Sequence, residues 1–405
     1  MTTLTTPRTA EALVAEASSS FDLQSLWNLA PYGAEGGYLT EGDALPRVTQ
    51  TVDNVDLNTI WLEMQTALAE WNTHRSAIVD LISYWHTSSA DAISQGLNEQ
   101  SFERSSEFGE PEGLRPPTEH VLLGYTFEDY DRAARFTWKA LRDMDSRQVR
   151  AVHDGAMNSD NRLVTGTILQ RLFSPEPEDN GQGIGAYGLW SADGMVPPPY
   201  LGRTFDGNHS HYRTTGAVDI DSGDLLEAVK NIREHGYGLV DSNQQLIALV
   251  NERESEVIQS FRANVENNND QTSKWDFLPA TNQPSFILQG AGELVGNLPP
   301  GEVFGLPTVG KWGPVWIVET QYVPAGYFAV VASSGPRSTT NPIGVREHTN
   351  ATYRGLRQLP GSNATYPLTE SFYTRAFGVG TRHRGAAAVY QLKATGSYDV
   401  PAIPR

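Results

Sequence analysis

The 405-residue chain contains no cysteine. This absence excludes disulfide bonds, zinc–thiolate sites, iron–sulfur clusters and cysteine nucleophiles. No uninterrupted apolar run approaches the ~20 residues of a membrane-spanning helix, so we expect no membrane segment. Residues 1–20 lack a basic stretch followed by an apolar block, so we also expect no secretory signal.

Positive charge is in short supply, because 30 Lys and Arg residues stand against 48 Asp and Glu residues, for a net charge of −18. Such a balance argues against broad binding to a phosphate backbone, which needs surplus cations. Residues 1–130 carry 20 acidic and 5 basic side chains, whereas residues 337–405 carry 3 and 9. Two interpretations stay open: chance variation that favours solubility, or attraction between the acidic front of one copy and the basic tail of the next.

Familiar catalytic signatures are also missing, because the chain contains neither G-x-S-x-G nor H-E-x-x-H. His209 and His211 are two residues apart, and in a strand both side chains would point the same way, as metal ligands could. Asp206 and Asp219 are nearby in the sequence, whereas His235 looks isolated. Ordinary polar residues of a strand or loop are the default interpretation, and a catalytic metal site is the alternative.

Two further patterns are poor candidates for binding sites. The run Gly181–Gly185 follows a helix and prolines rather than a strand, and no Lys-Ser or Lys-Thr pair follows it, so we predict a flexible linker. The acidic group Glu176, Glu178 and Asp179 is predicted to be solvated loop charge. We therefore predict a structural or binding protein that is not an enzyme, with no catalytic, cofactor-binding or metal-binding residues and no cofactor.

Hydrophobic periodicity predicts two long helical regions separated by a hairpin. Apolar residues recur at three- and four-residue steps across 57–94, with Asp56 as N-cap. Loose alternation around a Pro/Gly-rich centre predicts a long β-hairpin over 97–130, which should lie against something. Residues 131–173 are predicted to be helical, most strongly over 145–173. Seven residues mark the predicted buried face of this helix: Val149, Val152, Ala156, Leu163, Thr167, Ile168 and Leu172.

The rest of the chain is predicted to be mixed. Residues 1–56 look like an extended arm, and a third helix should begin at Asp221 or Ser222 and end at Gly236. A strand over 246–250 and a helix over 253–261 are followed by β-like runs at 285–288, 315–322, 327–332, 372–378 and 386–392. This order predicts an α+β fold, not the regular alternation of a doubly wound sheet.

Seven short segments resemble parts of the major capsid proteins of tailed bacteriophages, in particular those of phages that infect actinobacteria. The likeness covers most of the chain, from about residue 97 to residue 400. The segments are Gly207–Tyr212, Asp221–Leu225, Glu234–Gly238, Gly305–Val309, Val323–Tyr327, Arg375–Gly378 and Arg384–Val389.

This resemblance implies the Hong Kong 97-type capsid fold. Its parts would be an N-terminal arm and helical region (1–96), an E-loop hairpin (97–130), a P-domain (131–236) with a spine helix (143–173), an A-domain (237–340) and a return to the P-domain (341–405).

The resemblance also implies a function. Copies would form pentamers and hexamers that close into an icosahedral shell around double-stranded DNA, in a virion assembled in the host bacterial cytoplasm. The expected partners are a portal protein and, where the phage has them, separate scaffolding and decoration proteins. Because residues 97–130 contain no lysine, the lysine–asparagine crosslink of some members is not expected. Two alternatives remain open: an encapsulin-like compartment, and a metal-assisted hydrolase that uses His209, His211 and Asp206.

Overall fold

The structure of the chain, a computed structural model, describes residues 48–73, 76–94, 104–105, 109, 120–280, 299–361 and 368–405. The helices within these ranges are α1 (Leu57–Thr73), α2 (Ala77–Ile82), α3 (Trp138–Asp143), α4 (Ser146–Phe173), α5 (Ser222–Arg233) and α6 (Glu252–Gln259). None of these helices combines the length and the hydropathy that a membrane crossing requires.

The strands within the same ranges are β1 (Ser83–His86), β2 (Ala90–Ser94), β3 (His120–Gly124), β4 (Glu128–Thr137), β5 (Glu178–Asp179), β6 (Gly185–Ala186), β7 (Tyr212–Thr214), β8 (Gln245–Val250), β9 (Phe277–Pro279), β10 (Glu302–Val303), β11 (Leu306–Pro307), β12 (Gly310–Trp312), β13 (Val315–Glu319), β14 (Tyr327–Ser333), β15 (Ile343–Arg346), β16 (Arg357–Pro360), β17 (Leu368–Thr381) and β18 (Ala387–Gln391). The predicted run at 285–288 and most of the predicted arm over 1–56 lie outside the described residues.

The described residues divide into two compact units, and each unit draws on segments that are far apart in the sequence. The first unit contains residues 48–73, 130–157, 356–361 and 368–375. The second unit contains all the other described residues. Neither unit is one continuous stretch of chain, so long-range pairing decides the fold of each.

Helix α1 organises the core of the first unit. Asp56 accepts a hydrogen bond from the backbone N–H of Asn58 at 2.6 Å, which agrees with its predicted role as N-cap. The apolar side of α1 is buried, as its three- and four-residue steps predict. It contributes to two hydrophobic clusters, one of Leu57, Ile60, Met64, Leu141 and Val149 and one of Leu68, Ala134, Ala156, Leu356 and Tyr373.

A seven-stranded sheet forms the centre of the second unit, in the order β7-β18-β14-β8-β13-β12-β9. Strand β8 lies in the middle of this order, parallel to β13 and antiparallel to β14. Its residues 246–250 are all buried, so neither face of the strand meets solvent. Burial on both faces explains why this part of the sequence is a continuous apolar run instead of an alternating one.

Helix α5 packs on β14 and β18 of this sheet and begins with a capping box. The Asp221 carboxylate accepts from the backbone N–H of Asp224 at 2.9 Å, and the Asp224 carboxylate accepts from the N–H of Asp221 at 3.0 Å. The apolar face of the helix, with Leu225, Val229 and Ile232, joins the core of the unit. The predicted start of this helix is therefore confirmed.

Two pairings in the second unit contradict the prediction that the helix of 57–94 is continuous. Strand β1 runs parallel to β15, with Ser83 opposite Ile343. Strands β2 and β3 pair antiparallel, with Ala90 opposite Gly124. The prediction of helix is confirmed for α1 and α2 but wrong for residues 83–94, which are extended strands and their connection.

The predicted helical region 131–173 also contains a strand. Residues 128–137 form β4, which pairs with β17. Thr137 then accepts from the backbone N–H of Ala140 at 3.1 Å, and this cap starts α3. The predicted spine helix of 143–173 corresponds to α4, whereas the prediction of helix over 131–137 is wrong.

The buried face of α4 differs in part from the predicted one. Val149, Ala156, Ile168 and Leu172 are buried as predicted, but Val152 is 38% exposed. Leu163 and Thr167 are only half-buried. Polar residues also occupy buried positions of this helix, among them His153 and Asp160.

Candidate functional site

Strands β2 and β3 form the base of the hairpin that the sequence predicts. The base begins at Ala90, earlier than the predicted boundary at residue 97. Segment 95–119 connects the two strands, and the structure describes residues 104, 105 and 109 of it. The tip of the predicted E-loop therefore falls largely outside the described residues, whereas both strands of its base lie within them.

The segment that follows β3 packs directly on the backbone of β17. The N–H of Thr126 donates to the Val379 carbonyl at 3.0 Å, and the N–H of Val379 donates to the Thr126 hydroxyl at 3.0 Å. A Cβ atom at Gly378 would lie 1.7 Å from the Thr126 carbonyl oxygen, and one at Gly380 would lie 2.5 Å from that of Gly124. Only glycine permits this approach, so these two positions set how closely the hairpin base sits on the sheet.

A buried chain of hydroxyl groups fixes the same base. Tyr125 donates to the Asp91 carboxylate at 2.6 Å and therefore accepts from the Tyr84 hydroxyl at 2.8 Å. The Nε of Arg382 lies 3.7 Å from the same carboxylate. Burial raises the pKa of Tyr125, so the phenol keeps its proton and remains a donor. The network joins β1, β2 and the segment after β3 into one anchored group.

His86 and Gly344 complete this anchor. The ring centroid of His86 lies 4.0 Å from that of Tyr125 in an edge-on arrangement, and a Cβ at Gly344 would lie 2.4 Å from the Tyr125 ring. Burial lowers the pKa of His86 to about 4, so the ring is neutral at pH 7. The sequence did not reveal this anchor, because its residues lie on strands that become neighbours only in the fold.

A second cluster brings together three histidines. The Nε2 atom of His209 lies 3.1 Å from the Nε2 of His211 and 2.8 Å from the Nε2 of His235. His209 and His211 do meet, although both lie just before β7 and not in a strand. The view of His235 as isolated is wrong, because α5 ends two residues before it and carries it to the same point.

The buried member of this cluster is His211, which lies directly before β7. The N–H of His211 donates to the Trp190 carbonyl at 2.7 Å, and its Nδ1 lies 2.6 Å from the Ala387 carbonyl oxygen. Phe205 stacks on His235 with the ring centroids 4.2 Å apart. Burial lowers the pKa of His211 well below its usual range and that of His235 to about 3, so both rings are neutral at pH 7.

The two aspartates considered alongside these histidines have other partners. Asp206 accepts from the backbone N–H of Asn208 at 3.1 Å and so caps its own turn. Asp219 forms an ion pair with Arg253 at 3.2 Å. Neither aspartate belongs to the histidine cluster, so the three residues of the hydrolase alternative do not form one site.

The run Gly181–Gly185 is a hydrogen-bonded turn between β5 and β6 instead of a flexible linker. The Asp179 side chain accepts from the N–H groups of residues 181 and 183, and the Asn180 side chain accepts from those of residues 182 and 184. These side chains occupy the N–H groups that a phosphate would need. Glu178 lies 3.4 Å from the buried guanidinium of Arg171, so it is paired as well as solvated.

Comparison with solved structures gives matches that cover most of the chain. No family model and no curated protein matches the chain. A solved structure from Mycobacterium phage Patience is 36% identical, with a TM-score of 0.69, and the match covers 87% of this chain and 93% of that one. The capsid of the native GTA particle (14% identity, TM-score 0.44, 89% and 98% covered) and the mature capsid of bacteriophage PhiM1 (13%, 0.45, 78% and 86%) are more distant.

The identity with the Mycobacterium phage protein extends over nearly all of both chains, so the two share a family as well as a fold. The mixed helix-and-sheet architecture and the paired hairpin base agree with the fold that the sequence resemblance implies. The chain belongs to the Hong Kong 97-type major capsid proteins of tailed bacteriophages and is similar to those of phages that infect actinobacteria.

Proposed function

We propose that copies of this capsid protein form pentamers and hexamers, which close into an icosahedral shell around the double-stranded DNA of a tailed phage. As a major capsid protein, the chain is a structural component of the virion. The protein assembles with other copies of itself. Membership of this family excludes the hydrolase alternative. It also favours a role in a phage capsid over the alternative of an encapsulin-like compartment.

The anchored hairpin base is the observation that carries the proposal. Close glycine contacts at Gly378 and Gly380 and the hydrogen bonds of Tyr125 fix the base to the sheet. Segment 95–119, which the base supports, is rich in Pro, Gly and Glu and holds few apolar residues for a core of its own. A fixed base with a polar extension suits a segment whose partner is a neighbouring subunit. Repeated contacts of this heterologous kind are what a closed shell requires.

We also propose the domain boundaries of the family for this chain. Two contacts support a return of the C-terminal residues to the spine helix: a Cβ at Gly166 would lie 2.2 Å from the Pro404 carbonyl oxygen, and the Tyr398 hydroxyl donates to the Phe173 carbonyl at 2.8 Å. The proposed parts are the N-terminal arm and helical region (1–96), the E-loop (97–130), the P-domain (131–236), the A-domain (237–340) and the returning segment (341–405).

The remaining partners follow from the same proposal. The shell would enclose DNA without sequence-specific binding, and a net charge of −18 gives little overall attraction to phosphates. A portal protein would occupy one position of the shell, and separate scaffolding or decoration proteins would assist assembly in the host bacterial cytoplasm. Residues 97–130 contain no lysine, so neighbouring subunits would be held without a lysine–asparagine crosslink from the E-loop.

Deletion of residues 103–118 tests the proposed role of the hairpin. The deleted residues lie beyond the paired strands β2 and β3, so the hairpin base is retained. The hydrophobic clusters of the two units contain none of the deleted residues and are retained as well. We expect a folded subunit, with the circular dichroism spectrum and melting temperature of the wild type. We also expect electron microscopy and light scattering to detect no closed shells, because the contact with the neighbour is lost.

A matched variant replaces residues 103–118 with a Gly/Ser segment of equal length. This variant restores the length of the loop but not its side chains. It therefore separates the effect of a shorter loop from the effect of losing the contacts that the side chains make. It should also fail to form shells. Shells of normal size from either variant would contradict the proposal.

A further inference from the structure

We propose that His209, His211 and His235 bind one divalent transition-metal ion of the zinc class, which joins two segments of the second unit. The segments are the stretch that leads into β7 and the residues after α5, and His211 in turn contacts strand β18 through the Ala387 carbonyl. This role is structural and adds to the capsid function. It differs from the hydrolase alternative, because the third ligand is a histidine from another element and no aspartate takes part.

The separation of the ring nitrogens suits a shared ion. Zinc–nitrogen bonds of about 2.0–2.1 Å at tetrahedral angles place two nitrogen ligands about 3.3 Å apart. The Nε2 of His209 lies 3.1 Å from that of His211 and 2.8 Å from that of His235, and the ligand atoms of all three residues lie within 4.8 Å of one another. Tetrahedral binding would require the rings of the two half-buried members, His209 and His235, to turn until the three nitrogens lie about 3.3 Å apart.

The positions of the protons favour a cation over a trio of hydrogen-bonded rings. The Nδ1 of His211 faces a carbonyl oxygen at 2.6 Å, so it carries the proton and Nε2 presents a lone pair. The Nε2 of His209 faces two nitrogen neighbours but holds one proton at most. Wherever that proton is placed between neutral rings, one of the two short N···N contacts has no proton directed along it. An ion at the meeting point satisfies all three lone pairs.

The surroundings hold the ligands in place, as a metal site requires. The Ala387 carbonyl orients the ring of His211, which is the usual second contact of a metal-binding histidine. Phe205 stacks on His235, and a Cβ at Gly385 would lie 2.9 Å from the Cβ of His235. His235 is thus confined between an aromatic ring and a glycine backbone.

Imidazole ligands select the kind of ion. Three neutral nitrogens suit Zn²⁺, Co²⁺, Ni²⁺ or Cu²⁺ rather than Mg²⁺ or Ca²⁺, which prefer oxygen. Three protein ligands leave a fourth position, and His209 is partly exposed, so water can reach it. An ion that joins distant segments stabilises the folded state by mass action, because the unfolded chain does not bring these residues together.

The test uses the full-length protein, stripped of metal with a chelator and then titrated with Zn²⁺ or Co²⁺. We expect one Zn²⁺ per chain by elemental analysis, a visible absorption band of low-symmetry Co²⁺ that Zn²⁺ removes, and a rise of several °C in melting temperature. His209→Gln and His235→Gln should each weaken Zn²⁺ binding at least tenfold. Each variant removes a ligand, and loss of a ligand's hydrogen-bond partner alone costs about 10–100-fold in affinity. Both side chains are half-buried, so these variants should fold, and the fully buried His211 is left unchanged.

His348→Gln is the matched control, because this partly exposed histidine lies outside the cluster. It should leave the stoichiometry, the Co²⁺ spectrum and the thermal shift unchanged. Three results would each overturn the proposal: a wild-type chain that binds no Zn²⁺, equal affinity in the wild type and His209→Gln, or equal losses in His348→Gln and His209→Gln. None of these results bears on shell assembly, which is measured separately.

Discussion

Gly378 has no side chain, and this allows the backbone after the hairpin to lie directly against strand β17. Gly378→Ala would place a methyl group 1.7 Å from the Thr126 carbonyl oxygen, so the two backbones must move apart. Overpacking of this kind costs about 1–3 kcal/mol, and the hydrogen bonds between Thr126 and Val379 would weaken as well. We expect chemical denaturation to show a loss of about 2–3 kcal/mol in the free energy of unfolding, together with a lower yield of shells by electron microscopy.

Gly155→Ala provides the control for this substitution. Gly155 lies inside α4, and the described residues leave open space within 4 Å of a Cβ there. Alanine in a helix is about 1 kcal/mol more favourable than glycine, so this variant should be as stable as the wild type or more stable. If the two alanine variants had equal stability, the close approach at Gly378 would not constrain the hairpin base.

The neutral ring of His86 predicts a pH dependence. Its pKa is lowered to about 4 by burial, whereas an unfolded histidine titrates near 6.5. Between these values the unfolded chain binds the additional proton, so stability is complete above pH 6.5 and falls as the pH is lowered toward 4. At pH 5 the loss from this ring is about 1–2 kcal/mol.

His86→Phe isolates this contribution, because an aromatic ring is retained beside Tyr125 but nothing titrates. The unfolding free energies of unassembled subunits at pH 7 and pH 5 should differ by about 1–2 kcal/mol less in the variant than in the wild type. The other histidines cancel in this comparison. The same pH dependence in both proteins would show that folding does not lower the pKa of His86.

Residue by residue, the sequence predicted burial well only where apolar residues occupy the core. In α4 it assigned Val152 to the buried face, although this side chain is 38% exposed, and it passed over His153 and Asp160, which are buried. A polar residue that finds a partner inside leaves no trace in a hydrophobic pattern. The Nδ1 of His153, for example, lies 2.9 Å from the hydroxyl of Tyr373, 220 positions away in the chain.

At the scale of elements, the start of α5 depends on the N-cap Asp221, which could be predicted from the sequence. Asp221→Ala removes the acceptor for the N–H of Asp224 and a bond from Asn269 at 2.9 Å. N-cap replacements of this kind cost about 0.5–2 kcal/mol, so we expect a loss of about 1 kcal/mol in unfolding free energy by chemical denaturation. Asp219→Ala removes an exposed ion pair with Arg253 and should cost less than about 0.5 kcal/mol. Equal costs would show that the cap adds nothing beyond surface charge.

Strand β1 shows which elements the sequence could not predict. Residues 83–94 directly follow the helical apolar spacing of residues 57–82, and the prediction extended the helix through them. Their extended form depends on pairing with β15, where Ser83 meets Ile343 across most of the chain. Tertiary pairing therefore overrides local preference, as it also does for β4 against β17.

For the whole molecule, the class of fold and the central strands could be predicted, but the two compact units could not. Continuous burial leaves a continuous apolar run, which is why the strands over 246–250 and 327–332 were located within a residue or two. The first unit depends instead on contacts such as that of Asn72 with the Leu356 carbonyl at 2.8 Å, across 284 positions. The histidine cluster likewise depends on contacts between residues that are apart in the sequence, since His209 and His235 are 26 positions apart and helix α5 lies between them.

The uneven charge of the chain predicts how assembly responds to salt. Residues 1–130 carry 20 acidic against 5 basic side chains, and residues 337–405 carry 3 against 9. If the front of one copy attracts the tail of another, screening should slow their encounter, since the Debye length falls from about 10 Å at 0.1 M salt to about 3 Å at 1 M. We expect the rate of shell formation, followed by light scattering, to fall severalfold between 0.1 M and 1 M NaCl. A rate that rises with salt would show instead that apolar burial dominates the encounter and that the charge asymmetry serves solubility alone.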